Sequence, residues 1–113
     1  MCFMKIESVP FTYVTWEEIP KTVHAGETGF ATWQTVEKGN LRVRLVEYSA
    51  GYLADHWCPR GHVIHILSGE MVSELKDGSK TFMKAGMTYF MSDDPENPHR
   101  SFTEKGVKLF IAD

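Results

Sequence analysis

Residues 51–69 read GYLADHWCPRGHVIHILSG. His56 and Cys58 stand two apart, a spacing that on a β-strand projects both side chains to one face. His62 opens the following apolar run, beyond a Pro59-Arg60-Gly61 turn that can fold it back beside the first pair. A fourth residue of the same chemistry, His99, follows Pro98 at the start of a late strand. Such side chains from neighbouring strands can converge on one cation at the mouth of a barrel. Imidazole and thiolate together suit zinc, and also iron, nickel or copper.

The rest of the chain supplies the strands such a mouth needs. Short runs rich in Val, Ile, Thr, Tyr and Phe recur, each ended by a turn signal. Residues 30–36 alternate and stop at Lys38-Gly39-Asn40. Residues 41–48 alternate with Leu41, Val43 and Leu45 set against Arg42 and Arg44. Residues 62–67 lead into Ser68-Gly69, and residues 70–75 end at Asp77-Gly78, a strong hairpin signal. Residues 81–83, 88–91 and 107–111 complete the set, with the turn-rich residues 92–98 between the last two. No amphipathic helix interrupts the pattern, although residues 16–19 can make one turn before Pro20. Strands of this length and spacing predict an all-β sandwich or barrel. Closure into a barrel hides the strand edges and turns alternate side chains into an interior.

The same residues carry a family resemblance. Gly51, His56, Cys58, His62 and Gly69 fall on the places of the first motif of the cupin superfamily, which is a glycine, His-x-His, an acidic residue four positions on, and a distal glycine. Gly86 and Pro98-His99 resemble the second motif. The likeness runs over roughly residues 41–112, and Asp55-His56-Trp57-Cys58 resembles the mark of a subgroup of small cupins. It implies a cupin-type jelly-roll (double-stranded β-helix) barrel formed by the single domain 1–113, with residues 1–28 as an N-terminal extension and first strands. It also implies a metal held by His56, Cys58, His62 and His99, and a homodimer. Two departures matter. Cys58 stands where the family has its second His, and His62 where it has its Glu. Both replacements are themselves metal ligands, so the set is altered to three imidazoles and a thiolate. The lost carboxylate argues against acireductone or oxalate chemistry of the larger cupins.

Composition bounds the partners. The 113 residues carry a formal net charge of −3, with 42% hydrophobic and 24% charged side chains. That is an ordinary globular balance, and Lys and Arg form no patch or arm that would bind nucleic acid. No run approaches the roughly 20 apolar residues of a membrane span, and residues 1–10, MCFMKIESVP, lack the apolar stretch of a secretory signal. A cytoplasmic protein with reduced Cys2 and Cys58 is expected; Cys2 is given no role.

Other candidates rank lower. His65, three residues from His62, faces the other way on a regular strand, as a non-ligand suited to a subunit contact. His24 sits near glycines and carries no assigned function. Asp55 and Trp57 alternate away from His56, although Asp55 becomes an acceptor for a ligand if the strand bulges there. Met71, Met83, Met87 and Met91 are expected as core filler. Trp33, Tyr89 and Phe90 are candidates to line the cavity. Arg60 and Arg100 suit an anion but are expected as solvated surface. No nucleophile elbow, phosphate loop or dinucleotide fingerprint is present.

Two functional classes follow. One is a metal-dependent enzyme of oxygenase or isomerase type acting on a small molecule, with one divalent transition metal, zinc first and iron(II) second, and with nickel or copper also suited to the set. The other is a ligand- or redox-sensing module with a structural zinc closed by four protein ligands. An open metal position beside a lined cavity favours the first. A third reading, a metal-free apolar-ligand binder, requires lost ligands, which this chain does not show.

Overall fold

A computed structural model describes residues 5–113; Cys2 lies outside them. Eight strands follow a single 3₁₀ turn at Trp16–Glu18: β1 (Thr22–Ala25), β2 (Phe30–Lys38), β3 (Leu41–Tyr48), β4 (His62–Leu75), β5 (Lys80–Lys84), β6 (Thr88–Met91), β7 (His99–Phe102) and β8 (Val107–Ala112). All their pairings are antiparallel. β1, β2, β3, β8 and the first half of β4 run side by side, with β6 on the far edge of β4. The second half of β4 lies between β5 and β7, making the opposite sheet. The two sheets enclose the interior as a jelly-roll barrel.

The two runs on either side of Ser68-Gly69 are one 14-residue strand. β4 shifts register against β8 between Ile66 and Ser68 and passes from one sheet into the other. Gly69 makes this crossing feasible. Its φ is +82°, and a Cβ there would run into the carbonyl of Gly106. A side chain at this position meets both a strained backbone and a blocked approach.

Period-two alternation fills the barrel. Val107, Leu109 and Ile111 point inward from β8, and Ile64 and Ile66 from β4, with Val46, Met71 and Met83 completing the buried cluster. Met71 and Met83 are the core filler expected of them, whereas Met87 is 40% exposed at a turn. Burial of about 1.5–3 kcal/mol per large aliphatic side chain makes this cluster the main stabilising element. β3 breaks the simple pattern. Its inner face carries Arg44 and Val46, both buried, while Leu45 and Val43 look outward. The arginine side of β3 therefore faces the cavity, and the aliphatic side forms part of an apolar outer surface. Along that surface Val63, Ala112 and Val43 stand in one register row, and His65, Phe110 and Leu45 in the next. Trp16 folds against it, edge-on to Phe110 at 6.5 Å. Gln34 fixes the 3₁₀ turn by donating Nε2–H to the carbonyls of Trp16 at 2.6 Å and Ile19 at 2.9 Å.

Candidate metal centre

Three of the four sequence candidates meet at one end of the interior. One potential ligand atom from each of Cys58, His62 and His99 lies within 4.8 Å of the other two. The backbone fixes two of them to each other. Cys58 donates its N–H to the carbonyl of His99 at 2.7 Å, and His99 donates back to Cys58 at 2.9 Å. Such a mutual pair stands its side chains on the same side of the ladder. His62 begins β4 directly across the cavity, and its ring crosses that of His99 at 83° with centroids 4.9 Å apart.

His62 is oriented by a residue that sequence reasoning did not single out. Its Nδ1 lies 3.0 Å from Oδ2 of Asp113. An ionised carboxylate has no proton to give, so Nδ1 carries the hydrogen and Nε2 keeps its lone pair. Nε2 in turn lies 2.9 Å from Nε2 of His99, which must then donate. A cation between the rings would replace that proton. Two nitrogens on one tetrahedral zinc, each about 2.0–2.1 Å from it, sit about 3.3 Å apart. The present separation is within about half an ångström of that spacing. Two imidazoles, a thiolate and a carboxylate behind one imidazole are the donor set and outer support of a transition-metal site. The residues fit a divalent metal.

Burial keeps both rings neutral. It lowers the pKa of His62, with Asp113 partly opposing, and it lowers that of His99 to about 4, helped by the neighbouring His62. Asp113 moves the other way. Burial disfavours its charge, yet hydrogen bonds from Arg42 and His62 and the nearby Arg44 hold its carboxyl well below the usual range. Its side chain is only 2% exposed. Arg42 grips it with two bonds of 2.8 Å. Asp113 continues the inward series Val107, Leu109, Ile111, and extending that alternation by one step would have found it.

His56 does not join the cluster. Residues 55–56 form a bend, so the two-residue spacing does not place His56 and Cys58 on one strand face. The His56 side chain is 68% exposed and its Nδ1 lies 2.6 Å from Oδ1 of Asp55. It does border the same cavity, of about 250 Å³, that Cys58, His62 and His99 line. Trp33 lines this cavity with Tyr48 and Tyr52, which stack at 4.2 Å. Tyr89 instead packs into the core cluster, and Phe90 is 74% exposed on the outer sheet face. Inward and outward alternate along β6, so only one of these neighbours can point in. His65 faces outward, its Nδ1 2.7 Å from Oγ1 of Thr88. His24 stacks on Trp33 at 3.9 Å. Arg100 is not free surface. It bonds Glu74 at 2.9 Å and lies over Trp57 at 4.4 Å. Arg60 is more open, 3.6 Å from Asp113.

No protein-family model and no curated protein sequence matches the chain. Solved structures do. An RmlC-like cupin from Shewanella frigidimarina is 16% identical, with a TM-score of 0.72 over 93% of this chain and 91% of that one. A cupin-like protein from Thermotoga maritima is 15% identical, with a TM-score of 0.65 over 75% of this chain and 68% of that one. The Fe(II) form of HppE with an alternative substrate is 13% identical, with a TM-score of 0.72 over 91% of this chain and 60% of that one. At these identities the likeness is one of fold, and the fold is that of the cupins.

Proposed function

From a cupin barrel with two imidazoles and a thiolate gathered at its mouth, we propose a mononuclear metal-dependent enzyme acting on a small molecule. The observation that carries this reading is the meeting of Cys58, His62 and His99 beside a lined cavity. Three protein ligands next to open space are the pattern of a catalytic site, whereas a structural zinc is closed by four. Cys58, His62 and His99 are the fixed ligands. His56 lies at the rim of the same cavity, outside this cluster, where it would be an additional donor. The thiolate favours zinc, with iron(II) next, and the structural likeness to Fe(II) HppE supports a divalent ion.

When bound, such an ion supplies Lewis acidity that polarises a substrate oxygen. Asp113 holds His62 in the tautomer that presents Nε2. Trp33, Tyr48 and Tyr52 flank the substrate and reduce its contact with water. At the rim of the cavity His56 has Nδ1 on Asp55, which leaves Nε2 as the nitrogen that would meet a bound molecule. We further propose that the protein is a homodimer, paired through the apolar outer face of β3, β8 and β4 around Leu45, Leu67 and Phe110.

Metal content by mass spectrometry on anaerobically purified protein tests the assignment. One equivalent per chain is expected in the wild type. His62→Ala and His99→Ala should lose it, and His56→Ala should retain it with weaker affinity. Full metal content in His62→Ala would sink the site.

A further inference from the structure

Beside the cavity, one carboxylate serves a cluster of cationic side chains, two of which, Arg42 and Arg44, line the cavity itself. Oδ2 of Asp113 faces Nη2 of Arg42 at 2.8 Å, Nδ1 of His62 at 3.0 Å, Nη2 of Arg44 at 3.3 Å and Nε of Arg60 at 3.6 Å. One oxygen has two lone pairs, so these donors must share it. Arg42 also has Glu37 beside it, as its register partner on β2. Arg44 has only a shared place on Asp113, through Nη2 at 3.3 Å.

Arg44 is also the most enclosed of these arginines. Its side chain is 7% exposed, and its Nε–H has no hydrogen-bond partner among the described residues. Its guanidinium lies 4.7 Å over the ring of Trp33, and both residues line the cavity with the metal-ligand cluster. A buried guanidinium with an idle donor is costly unless something pairs with it. The local excess is the more telling because the whole chain is acidic, at −3.

We propose that the cavity binds a small carboxylic acid, with its carboxylate on Arg44 and its body against Trp33 and Tyr48. This rests on the reading of the cavity as the substrate site and names the class of substrate. A cavity of about 250 Å³ holds about eight groups the size of a water at roughly 30 Å³ each. The acid is therefore small, with a flat or short apolar body. The planar guanidinium matches a carboxylate through paired N–H donors, which an ammonium cannot do.

The test is a titration of acetate, pyruvate and benzoate, each against its neutral amide. Quenching of tryptophan fluorescence is followed in metal-loaded and in chelator-treated protein. At least one acid should bind tenfold or more tightly than its amide, and this preference should persist after chelation. Arg44→Gln should abolish the preference, Arg44→Lys should weaken it, and Arg60→Ala, at the exposed arginine, should leave it intact. A circular-dichroism spectrum of each variant separates loss of the site from loss of fold, and Arg44→Lys keeps the test open if Arg44→Gln unfolds. Failure of every acid to outbind its amide, or an unchanged preference in Arg44→Gln, overturns the proposal. A preference that vanishes with the metal overturns it too, but leaves the metal site standing. A protein that prefers acids yet takes up no metal overturns the metal reading alone.

Discussion

Replacing Asp113 by Asn should damage both the fold and the metal site. The substitution keeps the shape of the side chain and removes its charge. The Asp113 side chain is 2% exposed and takes two 2.8 Å bonds from Arg42 and one contact of 3.0 Å from His62. Removing one partner of a buried ion pair costs about 3–5 kcal/mol, because the other charge is left uncompensated. Arg42 is 20% exposed, so water relieves part of this and the lower end applies, about 3 kcal/mol. For a domain of this size about 4 °C of melting temperature accompanies each kcal/mol, which predicts a drop of about 12 °C. His62 also loses the charged acceptor that fixes its tautomer, since an amide offers one oxygen to both Arg42 and His62, and metal affinity should fall about 10- to 100-fold. Thermal unfolding of the chelated variant and competition for zinc against a chromophoric chelator measure the two effects separately. A melting temperature within about 2 °C of wild type, together with unchanged zinc affinity, would refute the reasoning.

Acid should destabilise the chelated protein in a defined window. His99 has a folded-state pKa of about 4 against about 6.5 when unfolded, so between these values the unfolded chain binds the proton and the folded one does not. Stability is then complete above pH 6.5 and falls toward pH 4, by about 1–2 kcal/mol between pH 7 and pH 5 after allowance for screening. Urea unfolding at the two pH values checks this, and equal or greater stability at pH 5 would contradict it. Leu67→Lys on the outer sheet should convert a dimer to a monomer in sedimentation velocity without changing metal content, since Leu67 is 44% exposed and remote from the cluster.

Much of the fold was legible because period-two patterning and turn residues are local signals. Runs bounded by Lys38-Gly39-Asn40 and Asp77-Gly78 became β2, β3, β4 and β5 with nearly the expected limits. Ser68-Gly69 misled, because a glycine that ends a strand and one that lets a strand bend between sheets look alike in sequence. β3 shows the second limit. Alternation separates Leu and Val from Arg, but only the closed barrel decides which side is inside, and here the polar site claims the arginine side. Cys58, His62 and His99 stood out in the sequence because their chemistry is rare, and the fold brings their potential ligand atoms within 4.8 Å of one another. At His56 the two-residue spacing does not act as strand spacing, since the chain bends at residues 55–56 instead of running straight. Asp113 and Arg44 were missed because their importance lies in contacts with residues roughly fifty or more positions away, or across the barrel, which no local pattern records.

X-ray absorption at the metal edge tests the central claim most directly, on protein reconstituted with one equivalent of zinc. Assignment of the ion to Cys58, His62 and His99 predicts one sulfur at about 2.3 Å and two or three nitrogens at about 2.0–2.1 Å. The sulfur should disappear in Cys58→Ser. A spectrum fitted by nitrogen and oxygen alone in the wild type would contradict the account.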